Sequence, residues 1–497
     1  MRASGILMPV FSLPSRYGIG SFSKSAYQFV DMLKKAGQKY WQILPLCPTS
    51  YGDSPYQSFS TYAGNPYFID LDQLIEEKLL TRKECQACDF GDDPQDIDYG
   101  KLYESRFKLL RKAYERANVG EDQEFEAYRR ENAWWLEDYA LFMAVKDRFD
   151  GVAWNEWAED IRLRWSNAMD YYRRELYYEI EFYSYLQFVF MKQWKKLKNY
   201  ANINGIEIIG DIPIYVAFDS ADAWENPELF QFDAENLPTA VAGCPPDGFS
   251  ADGQLWGNPL YRWDYHRETG FDWWIRRIAY CRELYDVVRI DHFRGFDEYY
   301  SIPYGDTTAR NGHWEKGPGI ALFEAAKNRL GELNIIAEDL GYITDSVKKL
   351  VADSGFPGMK VLEFAFDSRE KSDYLPYTYE KNSVVYTGTH DNETIAGWYA
   401  GLDKSDLKMC TDYMNIDRIP GKEYHWDFIR LAMLSVSDLC VIPIQDYLGL
   451  DNRARINHPS TLGTNWRWRL AKGQLSASLL KEIREMTRIS GRLQNGE

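Results

Sequence analysis

The stretch VVRIDHFRGF, residues 287–296, opens on an apolar run and turns polar at Asp291. A short, mainly apolar run of this kind suits a strand buried on both faces, as in a parallel sheet. Asp291 would close that strand, and Arg289, two residues earlier, falls on the same strand face. The same form, a short β-rich run often closing on a polar or charged residue, recurs along the chain. It is found at Tyr40–Leu44 (YWQIL), Tyr67–Leu71 (YFIDL), Ile206–Asp211 (IEIIGD), Ile335–Asp339 (IIAED), Lys360–Phe366 (KVLEFAF), Val384–Thr389 (VVYTGT) and Cys440–Ile444 (CVIPI). With Val287–Asp291 these make eight. Patterned helix-length segments separate most of them, for example Ala321–Leu330 and Asp345–Ser354. Alternation of strand and helix implies a parallel α/β fold, and eight strands predict a closed (β/α)8 TIM barrel rather than an open sheet.

Two stretches interrupt the alternation. From Asp72 to about Tyr178 the chain is charged, helical in pattern and rich in Trp and Tyr. Phe107, Leu110 and Tyr114 share one helical face, as do Leu136, Ala140 and Met143. This predicts a mainly helical insertion subdomain over 72–178, with the barrel built from 1–71 and 179–497. A long amphipathic helix follows, with Leu186, Phe190, Trp194 and Leu197 on one stripe. The second interruption, 212–270, is rich in Gly, Pro, Asp and Trp, which is loop chemistry. A loop this long within a compact domain is usually functional.

Composition narrows the class. Lys plus Arg is 58 against 75 Asp plus Glu, a formal net charge of −17. Nucleic acid and anionic membrane surfaces reward clustered basic residues, so neither is the expected partner. No stretch is long and apolar enough to span a membrane. The chain carries 17 Trp, 36 Tyr and 25 Phe, enough to furnish both a large core and sugar-binding faces, and composition does not separate the two. Seven cysteines, an odd number, show no disulfide framework. Cys85 and Cys88 form a lone CxxC without the second pair or the histidines that a zinc site needs. Prolines and glycines break the N-terminal stretch too early for a signal peptide. Reduced cysteines and the absence of an export signal predict a cytoplasmic protein.

Three of the expected strands end in acidic motifs: RIDHFRGF (Arg289–Phe296), AEDLG (Ala337–Gly341) and THDNET (Thr389–Thr394). In a barrel the C-terminal strand ends face the active site. A carboxylate there is costly unless paired or used. Taken singly, each motif reads as a structural ion pair at a strand end. Three together would repel one another and spread their pKa values, which separates an acid from a base. Retaining cleavage of a glycosidic bond needs one carboxylate as nucleophile and another as acid/base, roughly 5 Å apart. Asp291 suits the nucleophile, with Arg289 beside it to keep it ionised. Glu338, with its longer side chain, suits the acid/base. Asp391 would grip sugar hydroxyls as the ring flattens toward an oxocarbenium ion. His292 and His390 adjoin two of the acids and could donate to the same sugar; His390 reads equally well as a core histidine.

These motifs resemble those of the α-amylase clan, and the rest of the chain resembles the amylomaltases, the 4-α-glucanotransferase (disproportionating enzyme) family. The matching segments run nearly end to end: LPSRYGIGS (Leu13–Ser21), QILPL with YGDSPYQSFS and AGNPY (Gln42–Tyr67), GDIPIYV (Gly210–Val216), GCPPDGFSADGQLWGNPLY (Gly243–Tyr261) and HPSTLGTNW (His458–Trp466). The resemblance implies Asp291 as nucleophile, Glu338 as acid/base and Asp391 as transition-state stabiliser. It implies that Asp211, Arg289 and His390 line the subsite of the attacked glucose, with Tyr56 stacking on the ring. Asp247–Trp256 resembles a flexible loop over the acceptor side, contributing Asp247, Gln254 and the aromatic platform Trp256. Asn465 falls in a second cleft loop, 450–466. Cys244 in the glycine-rich loop and Tyr299–Tyr300, where a Trp is expected, depart from the family pattern. The implied fold is a (β/α)8 barrel with large insertions and no C-terminal β-sandwich, consistent with a tail of only about thirty residues after Trp466.

The expected reaction is disproportionation of α-1,4-glucans, such as maltooligosaccharides and fragments of starch or glycogen, with no cofactor or metal implied. An α-amylase-like retaining hydrolase would share every step up to the glycosyl-enzyme, so the acids do not separate the two. A non-catalytic glucan-binding barrel is the remaining alternative, and it should have lost at least one acid, whereas all three are present. Donor length preference, cyclic products and oligomeric state leave no signal in the sequence.

Overall fold

The computed structural model describes residues 2–50, 52–246, 250–341, 343–417 and 423–494. Eight parallel strands close a barrel: β1 (Ala3–Leu7), β2 (Tyr40–Gln42), β3 (Glu207–Pro213), β6 (Val287–Asp291), β9 (Ile335–Ala337), β10 (Gly358–Val361), β11 (Ser383–Tyr386) and β12 (Leu439–Pro443). They run in chain order around the ring, and β12 closes on β1, with Ala3 opposite Leu439 and Leu7 opposite Pro443. A second, antiparallel sheet takes β4 (Ala240–Cys244), β5 (Gln254–Pro259), β7 (Glu298–Pro303) and β8 (His313–Lys316) in the order β5-β4-β7-β8.

The expected count of eight is right, but its membership is not. Tyr67–Leu71 is not a strand. Pro66–Phe68 is a 3-10 turn and Leu71–Glu76 a helix. Two caps decide this: the Asn65 side chain accepts from the Tyr67 N–H at 3.0 Å, and Asp70 accepts from the N–H groups of Asp72 and Gln73. Local capping outcompetes the β-propensity of Tyr-Phe-Ile. The eighth strand is β1, whose ASGIL sequence has too few bulky residues to read as one. Gly5 is required there, because a Cβ would lie 2.7 Å from the Tyr40 Cβ on β2. Lys360–Phe366 is strand only through Val361, then a 3-10 turn over Leu362–Phe364. The region 212–270, read as loop, contributes β4 and β5, and β7 and β8 were not anticipated.

Between β2 and β3 the chain forms a set of helices, the longest being Tyr99–Arg116, Gln123–Arg148 and Tyr177–Ile203. On the last, Leu186, Phe190, Trp194 and Leu197 are all buried. Phe190 and Trp194 pack on Phe22, with ring centroids 5.1 and 5.2 Å away. The buried residues of this helical segment are continuous with those of the barrel in one core. An ion pair from the buried Lys146 to the half-buried Asp219, at 2.5 Å, ties the helix Gln123–Arg148 to the segment following β3. Among the described residues, no helix is long and apolar enough to cross a membrane.

Candidate active site

The barrel brings the three acids to one end. Asp291 is the last residue of β6, Glu338 directly follows β9, and Asp391 lies five residues beyond β11. Arg289 is the hub. Buried on β6, it donates from Nη1 to both oxygens of Asp211 on β3, at 2.8 and 2.7 Å, and from Nη2 to Asp291 Oδ1 at 3.0 Å. Burial works against the charge on Arg289, but Asp211 and Asp291 outweigh it, so its pKa is raised and the guanidinium stays charged. The strand alternation that placed Arg289 and Asp291 on one face is therefore realised as a hydrogen bond. Its second role, neutralising the fully buried Asp211, had no sequence signal, since the two residues lie 78 positions apart.

Glu338 is held differently. Its carboxylate accepts the backbone N–H of His292 at 2.7 Å and that of Leu340 at 2.9 Å. Burial, then the charge of Asp291, push its pKa up to about 7, against the pull of Arg289 and these two N–H groups. His292 sits in the left-handed backbone region, with φ +55°. This turn directly after β6 aims its N–H at Glu338, a strained arrangement of the kind that gathers at functional sites. Burial drives the His292 imidazole down to about 4, so it is neutral at pH 7. Its Nε2 is buried and has no hydrogen-bond partner among the described residues.

Asp391 has the opposite surroundings. Partial burial raises its pKa, but the His390 ring 3.2 Å away and the Asn457 amide, donating at 2.6 Å, outweigh this and bring it to about 2. Reciprocally, burial opposes protonation of His390 and Asp391 favours it, leaving the imidazole pKa above its ordinary value. Tyr56 stacks on His390 with ring centroids 5.0 Å apart and 13° between planes, and its hydroxyl donates to Asp211 at 2.8 Å. One face of Tyr56 is thus taken by a protein ring, and the phenol joins the Asp211–Arg289–Asp291 network.

Gln254 and Trp256 lie on β5, with Trp256 Nε1 donating to Gln254 Oε1 at 3.0 Å. Trp256 meets the His292 ring edge-on, with centroids 4.9 Å apart at 89°, which brings β5 to the acid side of the site. Asp247 lies outside the described residues. Asn465 is not aimed at the acids: its side chain accepts from the His458 N–H and donates to the His458 and Thr461 carbonyls, stapling its own loop.

Two neighbours of the acids were not anticipated. Asn457 fixes Asp391, and Trp466 packs near Tyr56 and His390, with centroids 5.8 and 5.9 Å away. Trp466 also has a left-handed backbone, φ +64°. Both come from the loop after β12; the sequence marked that loop but not which of its side chains turns inward. Among the described residues, no cluster of His, Cys, Asp or Glu is arranged to hold a metal ion. None of the seven cysteines is in a disulfide, and Cys85 is buried and Cys88 half-buried.

One face of the site thus carries a carboxyl near neutrality beside carboxylates fixed by a guanidinium, an imidazole and an amide. That separation allows proton donation at one oxygen and nucleophilic attack at another. A family model described as 4-alpha-glucanotransferase matches residues 8–475. The chain is similar to the 4-alpha-glucanotransferase of Clostridium butyricum, 49% identical over 98% of this chain and 100% of that one. It is similar to the 4-alpha-glucanotransferase of Thermus thermophilus, 45% identical over 99% of each. Its fold is similar to that of the amylomaltase from Streptococcus agalactiae solved in complex with acarbose, with a TM-score of 0.96 and 44% identity over 99% of this chain and 100% of that one.

Proposed function

The chain belongs to the 4-alpha-glucanotransferase family, and on that premise we propose how its own residues divide the work of moving a segment of an α-1,4-glucan to the 4-OH of another glucan or of glucose. The glucan binds across the C-terminal end of the barrel. Glu338 protonates the glycosidic oxygen while Asp291 attacks C1, and the reducing-end fragment leaves. The 4-OH of the acceptor then enters, gives its proton to Glu338 and displaces Asp291. Two inversions at C1 make net retention. Asp391, held ionised by His390 and Asn457, grips sugar hydroxyls as the ring flattens. Asp211, Arg289, His292, His390 and Tyr56 form the floor of the subsite for the attacked glucose. Gln254 and Trp256 belong to the acceptor side, and Asn465 shapes a cleft loop through its own backbone contacts.

The observation that carries this division is the contrast between Glu338 and Asp391. Burial and Asp291 push Glu338 to about 7, where it can both give and take a proton. Asp391 stays near 2, where it stabilises positive charge and transfers no proton. The same reading treats 72–178 as a helical insertion on a barrel built from 1–71 and 179–497, and places the protein in the cytoplasm on the strength of seven cysteines that form no disulfide.

Incubation with maltotriose tests the reaction. Transfer yields glucose and a ladder of longer maltooligosaccharides, whereas a hydrolase yields only shorter products. Shorter products alone would overturn the transfer reading.

A further inference from the structure

We propose that the β7–β8 hairpin is a docking post that holds the strand bearing Gln254 and Trp256 against the acids, and that Arg310 at its tip sets how the glycosyl-enzyme partitions between sugar and water. The proposal rests on the transfer reading above and extends it to residues far from the carboxylates.

The turn joining β7 to β8, residues 304–312, is not a free loop. Ala309 is fully buried and joins Val241, Tyr300 and Ile302 in a small core separate from that of the barrel. The Tyr300 hydroxyl donates to the Ala309 carbonyl at 3.0 Å, in a buried position. Tyr300 is braced in turn by Trp314, with ring centroids 5.2 Å apart. The turn therefore has its own support, and it presents two donors outward. The Ala309 N–H donates to the Asp252 carbonyl at 2.9 Å. Arg310 Nε lies 2.7 Å from Asp252 Oδ1. Gly253, with φ +66°, fits so tightly that a Cβ would lie 2.8 Å from that of Ala309 and 2.5 Å from the Cys244 carbonyl oxygen.

From Asp252 the contacts lead straight to the chemistry. Two residues on is Gln254, which accepts from Trp256; Trp256 meets the His292 ring; and the His292 N–H donates to Glu338. The glycosyl ester on Asp291 breaks when an oxygen bonds to C1, and Glu338 takes the proton of that oxygen whether it belongs to water or to a sugar 4-OH. The outcome therefore depends on which oxygen is oriented and which is excluded. A strand paired with β4 and held at Asp252 keeps Trp256 in place over the acceptor side. A strand freed at Asp252 admits water.

The test is a count of reducing ends during turnover of maltotriose. Disproportionation conserves their number, and hydrolysis adds one per event. Arg310→Ala is expected to raise the ratio of hydrolysis to transfer about two- to fivefold, the scale of an exposed ion pair, and to raise KM for glucose as acceptor. Tyr300→Phe combined with Arg310→Ala, which also loosens the turn, should raise the ratio further, and Arg310→Lys should restore it. Lys316→Ala is the control: it breaks the Lys316–Glu298 pair in the same hairpin, 2.6 Å long, without touching Asp252, and should leave the ratio unchanged. An unchanged ratio in the folded double variant, or an equal rise in the Lys316 control, would refute the post. Hydrolysis alone by the unaltered protein would instead refute the transfer reading, so the two failures are distinguishable.

Discussion

Glu338 carries the clearest consequences at the scale of single residues. In the proposed role of general acid it must be protonated, so donor cleavage should fall as pH rises through about 7, the value to which burial and Asp291 push its carboxyl. A pH–rate profile of kcat/KM with its basic limb far from 7 would contradict the assignment. The same shift has a cost in stability. The folded pKa lies above the ordinary carboxyl value, so the folded state is penalised as pH climbs from the unfolded value near 4.5 through about 7, and not below that window. Glu338→Gln should therefore unfold at higher denaturant than the parent at pH 8, by roughly 1–3 kcal/mol, and match it near pH 4. It should lose turnover by about a hundredfold or more while still binding glucan. A variant that lost activity and stability together at pH 8 would mark Glu338 as structural instead.

At the scale of elements, Glu338 and Asp391 depend on loops as well as on their strands. Asp391 follows β11, but the group that holds it comes from the segment after β12, where Asn457 donates to Oδ1 and Arg455 Nη2 to the Asp391 carbonyl oxygen at 2.8 Å. Hydrogen bonds to charged groups contribute about 1.5–3 kcal/mol. If Asp391 acts mainly in the transition state, Asn457→Ala should lower kcat by roughly ten- to a hundredfold with little change in KM. A rise in KM alone would mean that Asn457 serves ground-state binding. The β4–β5 hairpin makes the same point from the other side. Its residues looked like loop because Gly, Pro and Asp dominate them, yet β4 pairs with β5 on one side and β7 on the other, giving Trp256 a firm base.

At the scale of the whole molecule, the helical segment between β2 and β3 looks separable in sequence but not in packing. Its buried side chains form one core with those of the barrel, and Lys146 reaches Asp219 across the junction. Severed from the barrel, the segment would expose that shared apolar face without recovering the burial that offsets its chain entropy. A fragment of residues 72–178 is accordingly expected to show little cooperative unfolding by circular dichroism, whereas the full chain unfolds with the helices and barrel together. A sharp transition in the fragment would show that the segment stands on its own. The segment also supports the site at a distance: the Tyr99 hydroxyl donates at 2.7 Å to the carbonyl of Trp466, which packs near Tyr56 and His390.

By itself the sequence specifies the barrel and puts three acids at the ends of its strands. Apolar runs buried on both faces, spaced by helices, allow few architectures, and the side chain at a strand end is set by position along one run. For that reason the sequence alone puts Asp291, Glu338 and Asp391 at one end of the barrel. The errors were local. Asn65 and Asp70 cap turns where Tyr67–Leu71 looked like strand, and β1 was hidden because the tight approach of β2 demands Gly5 in place of a bulky residue. Only the tertiary structure decided which loops meet above the acids. Asn457 and Asp391 are 66 residues apart, and Arg289 and Asp211 are 78 apart. Pairing over such distances depends on how barrel closure brings the strand ends together, and a Gly- and Pro-rich loop carries no periodicity to show which of its side chains will face inward. The carboxylates and their close neighbours in sequence, Arg289 and His390, are therefore legible from the chain, whereas Asn457 and the pairing of Arg289 with Asp211 are not.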